Sequence, residues 1–366
     1  MLGLMGKSMI VDSALSDLDS GTLTRLMNLP SLWFNTYGFC ALDSTPPAER
    51  VLLCLDEQRQ ITYALYYLEK RWSGIFKRIE LIGPIYTNLT NLKKLLKKRG
   101  ARIATVSFVN EEETTNLFKA FNGNVIVERT HEDFIIELPS SVEEYFNSLG
   151  SRTRRNLRKY RRDFDHDLKG HINLVTRIKD QISLQNISAL VELNHKRVEG
   201  KGGKSLWDQE LIKKRLKLAV HCGFFCGFEL DGQLIGGTLS FIHGDESYGV
   251  LLGHDPVFNH LNLGTLCIFE TVNHLIGMGQ KRAHFQWGKS WFKTQFGGHE
   301  YPLFTVTLFC NSIMAQLWEL RRILEWGRNI LWRLNGNFRH LPKSVMNGLL
   351  KRRSISKSSH QSKDPE

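Results

Sequence analysis

Residues 224–253, FFCGFELDGQLIGGTLSFIHGDESYGVLLG, decide the fold. Residues 224–230 and 233–241 are apolar runs of strand length. The Asp231-Gly232 pair between them is a two-residue hairpin turn, because both central positions of such a turn need a left-handed backbone. Residues 247–253 make a third strand. Three consecutive strands with short connections predict antiparallel pairing. Moving outward, Asp255-Pro256 ends the third strand, residues 259–264 are a loop, and residues 265–278 an apolar helix. Upstream lie a strand at 172–178 and helices at 187–197 and 209–221. The connection 199–204 between those helices is basic and rich in glycine. It lacks the spacing of a phosphate-binding P-loop and reads as a lid over a cleft. Downstream come a strand at 283–287, one helical turn, and a last strand at 303–309. This order predicts an α/β layer fold, a mixed, mostly antiparallel sheet flanked by helices.

The first half gives a shorter version of the same order. Residues 1 to about 30 read as a weak helical lead-in. A hairpin at 50–68, a strand at 79–85, a basic helix at 91–98, a strand at 103–109, a helix at 111–121 and a strand pair at 124–138 follow. Two tandem domains of similar fold are expected: 1–139 and 171–311, joined by basic helices at 140–170. Amphipathic helices at 312–350 and a disordered Ser/Lys-rich tail at 351–366 complete the chain.

The totals bound the function. A chain of 366 residues, 42% hydrophobic and 23% charged, is globular and excludes general disorder. The net charge of +12 favours anionic partners. Cys40, Cys54, Cys222, Cys226, Cys267 and Cys310 lie in apolar runs without a zinc spacing, so they read as reduced, buried thiols and no metal is expected. Neither a signal-peptide pattern nor an uncharged apolar run of about 18 residues occurs, which predicts a cytoplasmic protein. Residues 313–334 nevertheless alternate leucines and tryptophans with arginines. That pattern fits packing on the chain's own domain, or peripheral contact with the inner face of an anionic membrane.

Two segments carry the chemistry. Residues 140–167 hold overlapping capping boxes, Ser140/Glu143 and Ser141/Glu144, then Gly150, then the basic run SRTRRNLRKYRRDFDHD. The run reads either as a solvated linking helix or as an anion-facing one whose guanidinium groups grip phosphate. Residues 283–298, AHFQWGKSWFKTQFGG, place Lys293 among Trp291, Phe292 and Phe296 before Gly297-Gly298. A lysine so flanked is either desolvated, suited to steady a developing negative charge, or snorkels to water along the rings.

SRTRRNLRKYRR, the Asp231-Gly232 hairpin, LGHDP with LNLGTL after it, and QWGKSWFKTQFGG occur in order. Together they resemble the GNAT-superfamily acyltransferases, in the CelD-like branch, which is similar to the FemAB-type aminoacyltransferases. The resemblance covers about residues 32–311. It implies an acyl-CoA donor whose pantetheine lies where the strands 247–253 and 283–287 splay, beside Leu251, Leu252 and Gly253. It places the donor's pyrophosphate on Asn259, Asn262, Gly264 and Thr265. Here the chain departs from the superfamily's glycine-rich signature, since Asn259 and Asn262 stand at its first and middle positions. By the same resemblance Lys293 is an active-site group, and Arg152, Arg154, Asn156, Arg158, Trp287 and Gly288 line the acceptor side. Asp255 is the candidate base, with Glu270 and His254 behind it. Nothing marks Cys267 as a nucleophile. The implied acceptor is a small molecule or glycan precursor of the cell envelope or of polysaccharide synthesis. A FemAB-like enzyme using aminoacyl-tRNA, and a silent binding protein, are the alternatives.

Overall fold

A computed structural model describes residues 9–27, 48–72, 76–82, 89–168, 170–203, 205, 207–286 and 291–335. In chain order the first half contains β1 (Met9–Ala14), α1 (Ser20–Met27), β2 (Arg50–Leu55), β3 (Ile61–Trp72), β4 (Phe76–Ile82), α2 (Leu89–Arg99), β5 (Ile103–Val109), α3 (Glu111–Ala120) and β6 (Val125–Glu137). Helices α4 (Val142–Ser148) and α5 (Ser151–Asp167) lead to β7 (Ile172–Ile178), α6 (Leu184–Glu199), α7 (Gln209–Cys222), β8 (Gly223–Leu230), β9 (Gln233–His243) and β10 (Glu246–His254). Then come α8 (Leu263–Gly277), β11 (Arg282–His284), α9 (Trp291–Gln295), β12 (His299–Phe309) and α10 (Ser312–Asn335).

Local chemistry accounts for many of these boundaries. Asp231 and Gly232 have φ of 48° and 78°, and the flanking Leu230 and Gln233 pair directly, so β8 and β9 close through a tight hairpin. Ser141, Ser183 and Asp208 accept backbone N–H bonds at the starts of α4, α6 and α7. Gly150 starts α5 from an extended backbone.

Among the described residues twelve strands form one sheet in the order β1-β2-β3-β4-β5-β12-β6-β11-β10-β9-β8-β7. It is mixed: β4–β5 and β10–β11 pair parallel, and the other described pairs antiparallel. The last strand, β12, inserts between β5 and β6, so the end of the chain knits the two halves together. Helices α6 and α7 pack on one face, in an apolar cluster that joins Val51, Leu53 and Tyr66 of the first half to Leu190, Phe241 and Tyr248 of the second. Opposite, α2 and α3 cover the first half, while α4, α5 and α8 cover the second. The expected mixed, mostly antiparallel sheet with flanking helices is the one observed.

Four local expectations are corrected. Residues 125–137 are one long strand, since the central polar residues that suggested a turn (Glu128 to Glu132) continue the ladder with β12. In the described part of the lead-in, residues 9–14 are a strand paired with β2. The expected loop at 259–264 is mostly helical: Pro256–Leu261 is a 3-10 helix capped by Asp255, and Gly264 and Thr265 stand in the first turn of α8. Cys54, Cys226 and Cys267 are buried free thiols, but Cys310 is exposed, because it follows the last residue of β12. Cys40 lies outside the described residues.

Candidate active site

The site begins where a strand pairing stops. Strand β11 pairs with β10 at three positions, Glu246–Arg282, Ser247–Ala283 and Tyr248–His284. Beyond them the Phe285 N–H bonds to the Phe134 carbonyl at 2.8 Å, so the chain follows β6. Strand β10 runs on to His254, paired only with β9 through a bulge between Gly249 and Leu251. The parted strands open a cleft of about 260 Å³. Gly249 to Leu252 form one wall, Phe285 and Phe292 the other, and Thr238, Ser240 and Thr271 supply hydroxyls. Thr238 and Thr271 hold each other at 2.6 Å, and the Thr271 hydroxyl also donates to the Cys267 carbonyl at 2.7 Å.

Lys293 lines this cleft and is 5% exposed, which removes the snorkelling alternative. Its Nζ donates to the Gln286 carbonyl at 3.0 Å and lies 5.1 Å from the centre of the Phe134 ring. The left-handed Gln286 (φ 53°) turns the chain so that this carbonyl is available. Burial lowers the Lys293 pKa from 10.5 to about 8, against the opposing pull of Asp133 and Glu132. The glycines after it have separate tasks. Gly297 takes φ of 82°, and a Cβ on Gly298 would stand 2.7 Å from the Lys293 carbonyl oxygen, to which the Gly298 N–H bonds. From the other side the Tyr145 hydroxyl donates to the Phe296 carbonyl at 3.0 Å, tying α4 to α9.

Behind the point of splaying lies a polar cluster. His284 Nδ1 meets Asp133 Oδ2 at 2.6 Å, its Nε2 lies 3.4 Å from Glu246 Oε2, and its ring stacks on Tyr248 at 4.2 Å. The Tyr248 hydroxyl and the Arg282 guanidinium donate to Glu246. Burial works against a charged His284, but the hydrogen bonds to Asp133 and Glu246 outweigh it and raise its pKa. The three strands β6, β10 and β11 are thereby locked at the last residue pair before the gap.

The other candidate residues fall in several places. Leu251 and Leu252 line the cleft. Gly253 instead lets β10 approach α6, since a Cβ there would lie 2.4 Å from the Leu190 carbonyl oxygen. Asn262 has the left-handed φ of 55° that glycine would otherwise supply, and Gly264 faces the His254 ring at 3.0 Å from a would-be Cβ. Asn259 accepts the Asn262 N–H, and Thr265 donates its N–H to the Asn262 carbonyl. Asp255 spends Oδ1 on the Val257 N–H, and Glu270 is held by Arg161 at 2.9 Å; neither lines the cleft. His254 is half-buried, and burial followed by the charges of Arg197 and Lys201 depresses its pKa to about 4. Arg154 donates to the Asn147 and Leu149 carbonyls, Arg158 covers the Phe146 ring, and Arg152 and Asn156 stand with them on α5 outside the cleft lining. Trp287 and Gly288 lie outside the described residues. Among the described residues no group of His, Cys, Asp and Glu is arranged to hold a metal ion. Sequence reading missed Arg197, Thr238, Ser240 and Thr271. The hydroxyls at 238 and 240 could have been found, because they alternate within an otherwise apolar strand.

Residues 151–294 match the family model described as an acetyltransferase (GNAT) domain. This part of the chain carries a GNAT-type domain, and the activity class is acyl transfer. Among solved structures, FemX is similar with a TM-score of 0.61 and 10% identity, over 85% of this chain and 99% of that one. A conserved protein of unknown function from Bacteroides thetaiotaomicron is similar with a TM-score of 0.54 and 12% identity, over 82% and 100%. L-PGS from Bacillus licheniformis reaches a TM-score of 0.50 at 11% identity, over 83% and 96%. At such identities the likeness is one of fold. None of the curated proteins matches the sequence.

Proposed function

We propose that the chain transfers an acyl group from acyl-CoA to an amine or hydroxyl of a sugar, nucleotide-sugar or other cell-envelope precursor. The observation that carries this reading is the gap between β10 and β11 with Lys293 at its edge. The edge of β10 that β11 leaves after Tyr248 suits the amide groups of a pantetheine arm, with the Leu252 carbonyl already accepting from Asn194 Nδ2 at 2.8 Å. The N-terminus of α8, with Asn262 as its cap, Gly264 and Thr265 in its first turn and Asn259 in the 3-10 helix before it, suits the donor's pyrophosphate, which helix N-termini favour. The acceptor nitrogen or oxygen attacks the thioester carbonyl carbon directly. The C–S bond breaks, the acceptor gives up its proton, and CoA leaves as the thiol. Lys293, in its ammonium form, donates to the carbonyl oxygen as that oxygen becomes negative. Asp255 and Glu270 receive no step, since a helix cap and an ion pair occupy them. In this reading residues 171–311 bind the donor, and residues 1–139 shape the acceptor side.

Calorimetry with acetyl-CoA and longer acyl-CoAs tests the donor. Binding supports the proposal. No binding, together with a gel shift of aminoacyl-tRNA, selects the FemAB-like alternative, and the absence of both leaves a silent binding protein.

A second surface supports a peripheral position at a membrane. Met314 and Trp318 of α10 pack against Phe309 and neighbours, while Ile313, Leu317, Leu320, Ile323 and Leu324 are exposed in one stripe. No helix among the described residues is long and apolar enough to cross a bilayer. The stripe together with the chain's net charge of +12 suits the face of an anionic bilayer. Sedimentation with anionic vesicles should capture the wild type and release a Leu320→Asp/Ile323→Asp double variant; equal capture of both removes the idea.

A further inference from the structure

Several arginines of this fold are matched to acids. Arg99 meets Asp12 and Glu69, Arg161 meets Asp165 and Glu270, and Arg282 meets Glu246. Arg197 is different. It stands on the last turn of α6, half-buried, and lines the same cleft as Lys293. Its Nε is buried without a hydrogen-bond partner, and no described acid pairs with it. An Nε that has lost water without gaining a partner is unfavourable in the empty protein. The surroundings add positive character, against which stand only Asp255 beside His254 and the C-terminal end of α6 itself. Lys201 follows one turn later, the His254 beside them is kept neutral by burial and by these two cations, and the first turn of α8 meets the His254 ring at Gly264. No carboxylate is among the residues that line the cleft.

We propose that Arg197 is the anion receptor of the cleft, taking a carboxylate or phosphate group of one of the two substrates. The planar fork of a guanidinium suits either group bidentately, and the missing partner is supplied only when that substrate arrives. Calling the ligand a substrate rests on the acyl-transfer reading above; anion binding at Arg197 does not.

The test follows the Arg197 Nε resonance in the full chain labelled with 15N-arginine, assigned by the Arg197→Lys variant. Inorganic phosphate, acetate, acetyl-CoA and S-acetylpantetheine, which lacks the phosphates, are titrated separately. A shift with phosphate or acetate supports the proposal. If the donor is the source, acetyl-CoA moves the resonance, and Arg197→Met weakens acetyl-CoA about 10–100-fold while leaving S-acetylpantetheine unchanged. If the acceptor is the source, acetyl-CoA binds wild type and Arg197→Met equally, and phosphate or acetate still shifts Arg197 in the donor complex. Silence of the resonance to all four probes overturns the proposal. A second readout guards against a merely structural role: removing an unmatched cation should raise the thermal midpoint of the ligand-free Arg197→Met variant, and a fall counts against the idea. Should acetyl-CoA bind neither protein, the donor reading fails while a phosphate shift at Arg197 still stands.

Discussion

Each half of the sheet contains one strand–helix–parallel strand crossing, and the two have been put to different use. In β4–α2–β5 the pairing runs from Arg78–Ile103 to Leu81–Val106, and Leu81, Ala104 and Val106 pack with Leu92, Leu95 and Leu96. In β10–α8–β11 the pairing stops after three positions, and the space beyond is lined by hydroxyls and two cations. Both halves also bury a titratable group near neutrality. Burial pushes Glu113 of α3 up to about 7 and Lys293 down to about 8. Glu113, 7% exposed, belongs to a helix packed on β12 and β6, whereas Lys293 faces a cleft. A desolvated charge thus marks a site only where the backbone beside it leaves room for a ligand.

The sharpest way to break this contrast is to remove the two groups. Lys293→Met, which keeps an unbranched apolar stem, should lower kcat/KM by about 10²–10³-fold in thiol release from acetyl-CoA. Retention of the wild-type rate would end the catalytic assignment. The stability effects should have opposite pH windows. The unfolded chain holds the lysine proton up to 10.5 and the folded chain only to about 8, so stability climbs as pH rises through that interval. Lys293→Met should flatten this limb in denaturant titrations. Glu113 reverses the sign: the folded chain keeps its proton to about 7 and the unfolded chain loses it near 4.5, so stability falls as pH rises between them. Glu113→Gln should therefore stabilise by about 1–3 kcal/mol at pH 8, with no loss of turnover. A stability gain equally large at pH 4 would contradict the titration account.

How far the sequence could be read follows from the range of the interactions. The β8–β9 hairpin, the cap of α4 and the apolar helix α8 rest on neighbours in the chain, and they were legible. The insertion of β12 between β5 and β6 was not, because its partners lie more than 150 residues away and any apolar strand could fill that slot. Asp255 and Glu270 illustrate the same limit. Each looked available until a cap and Arg161 claimed its oxygens. Arg197 failed in the opposite direction. An arginine in the last turn of a helix is ordinary, and only the lack of a partner in three dimensions sets it apart. Lys293 was legible as a candidate because its aromatic neighbours are local; its depressed pKa required the burial that Phe134 and β6 provide.

Smaller substitutions test whether the gap itself needs its present shape. Gly298→Ala places a methyl 2.7 Å from the Lys293 carbonyl oxygen, which is backbone and cannot swing aside. The turn after α9 must shift, at a cost of about 1–3 kcal/mol. Turnover should fall about tenfold as the ammonium moves by a fraction of an ångström. A variant as destabilised as this but fully active would show that the position of Lys293 is not critical.

The smallest effect is expected at Thr238→Val. The change removes one hydroxyl from the cleft floor and leaves its volume nearly unaltered. Thr271 loses a partner at 2.6 Å but keeps its bond to the Cys267 carbonyl, so no buried group is orphaned. Stability should change by less than about 1 kcal/mol. The informative quantity is KM for acetyl-CoA set against kcat. If the hydroxyl pair contacts the donor arm equally in the ground and transition states, KM rises and kcat holds. A fall in kcat alone would instead place Thr238 beside the reacting carbonyl and move the chemical centre from the Lys293 edge of the gap toward β9.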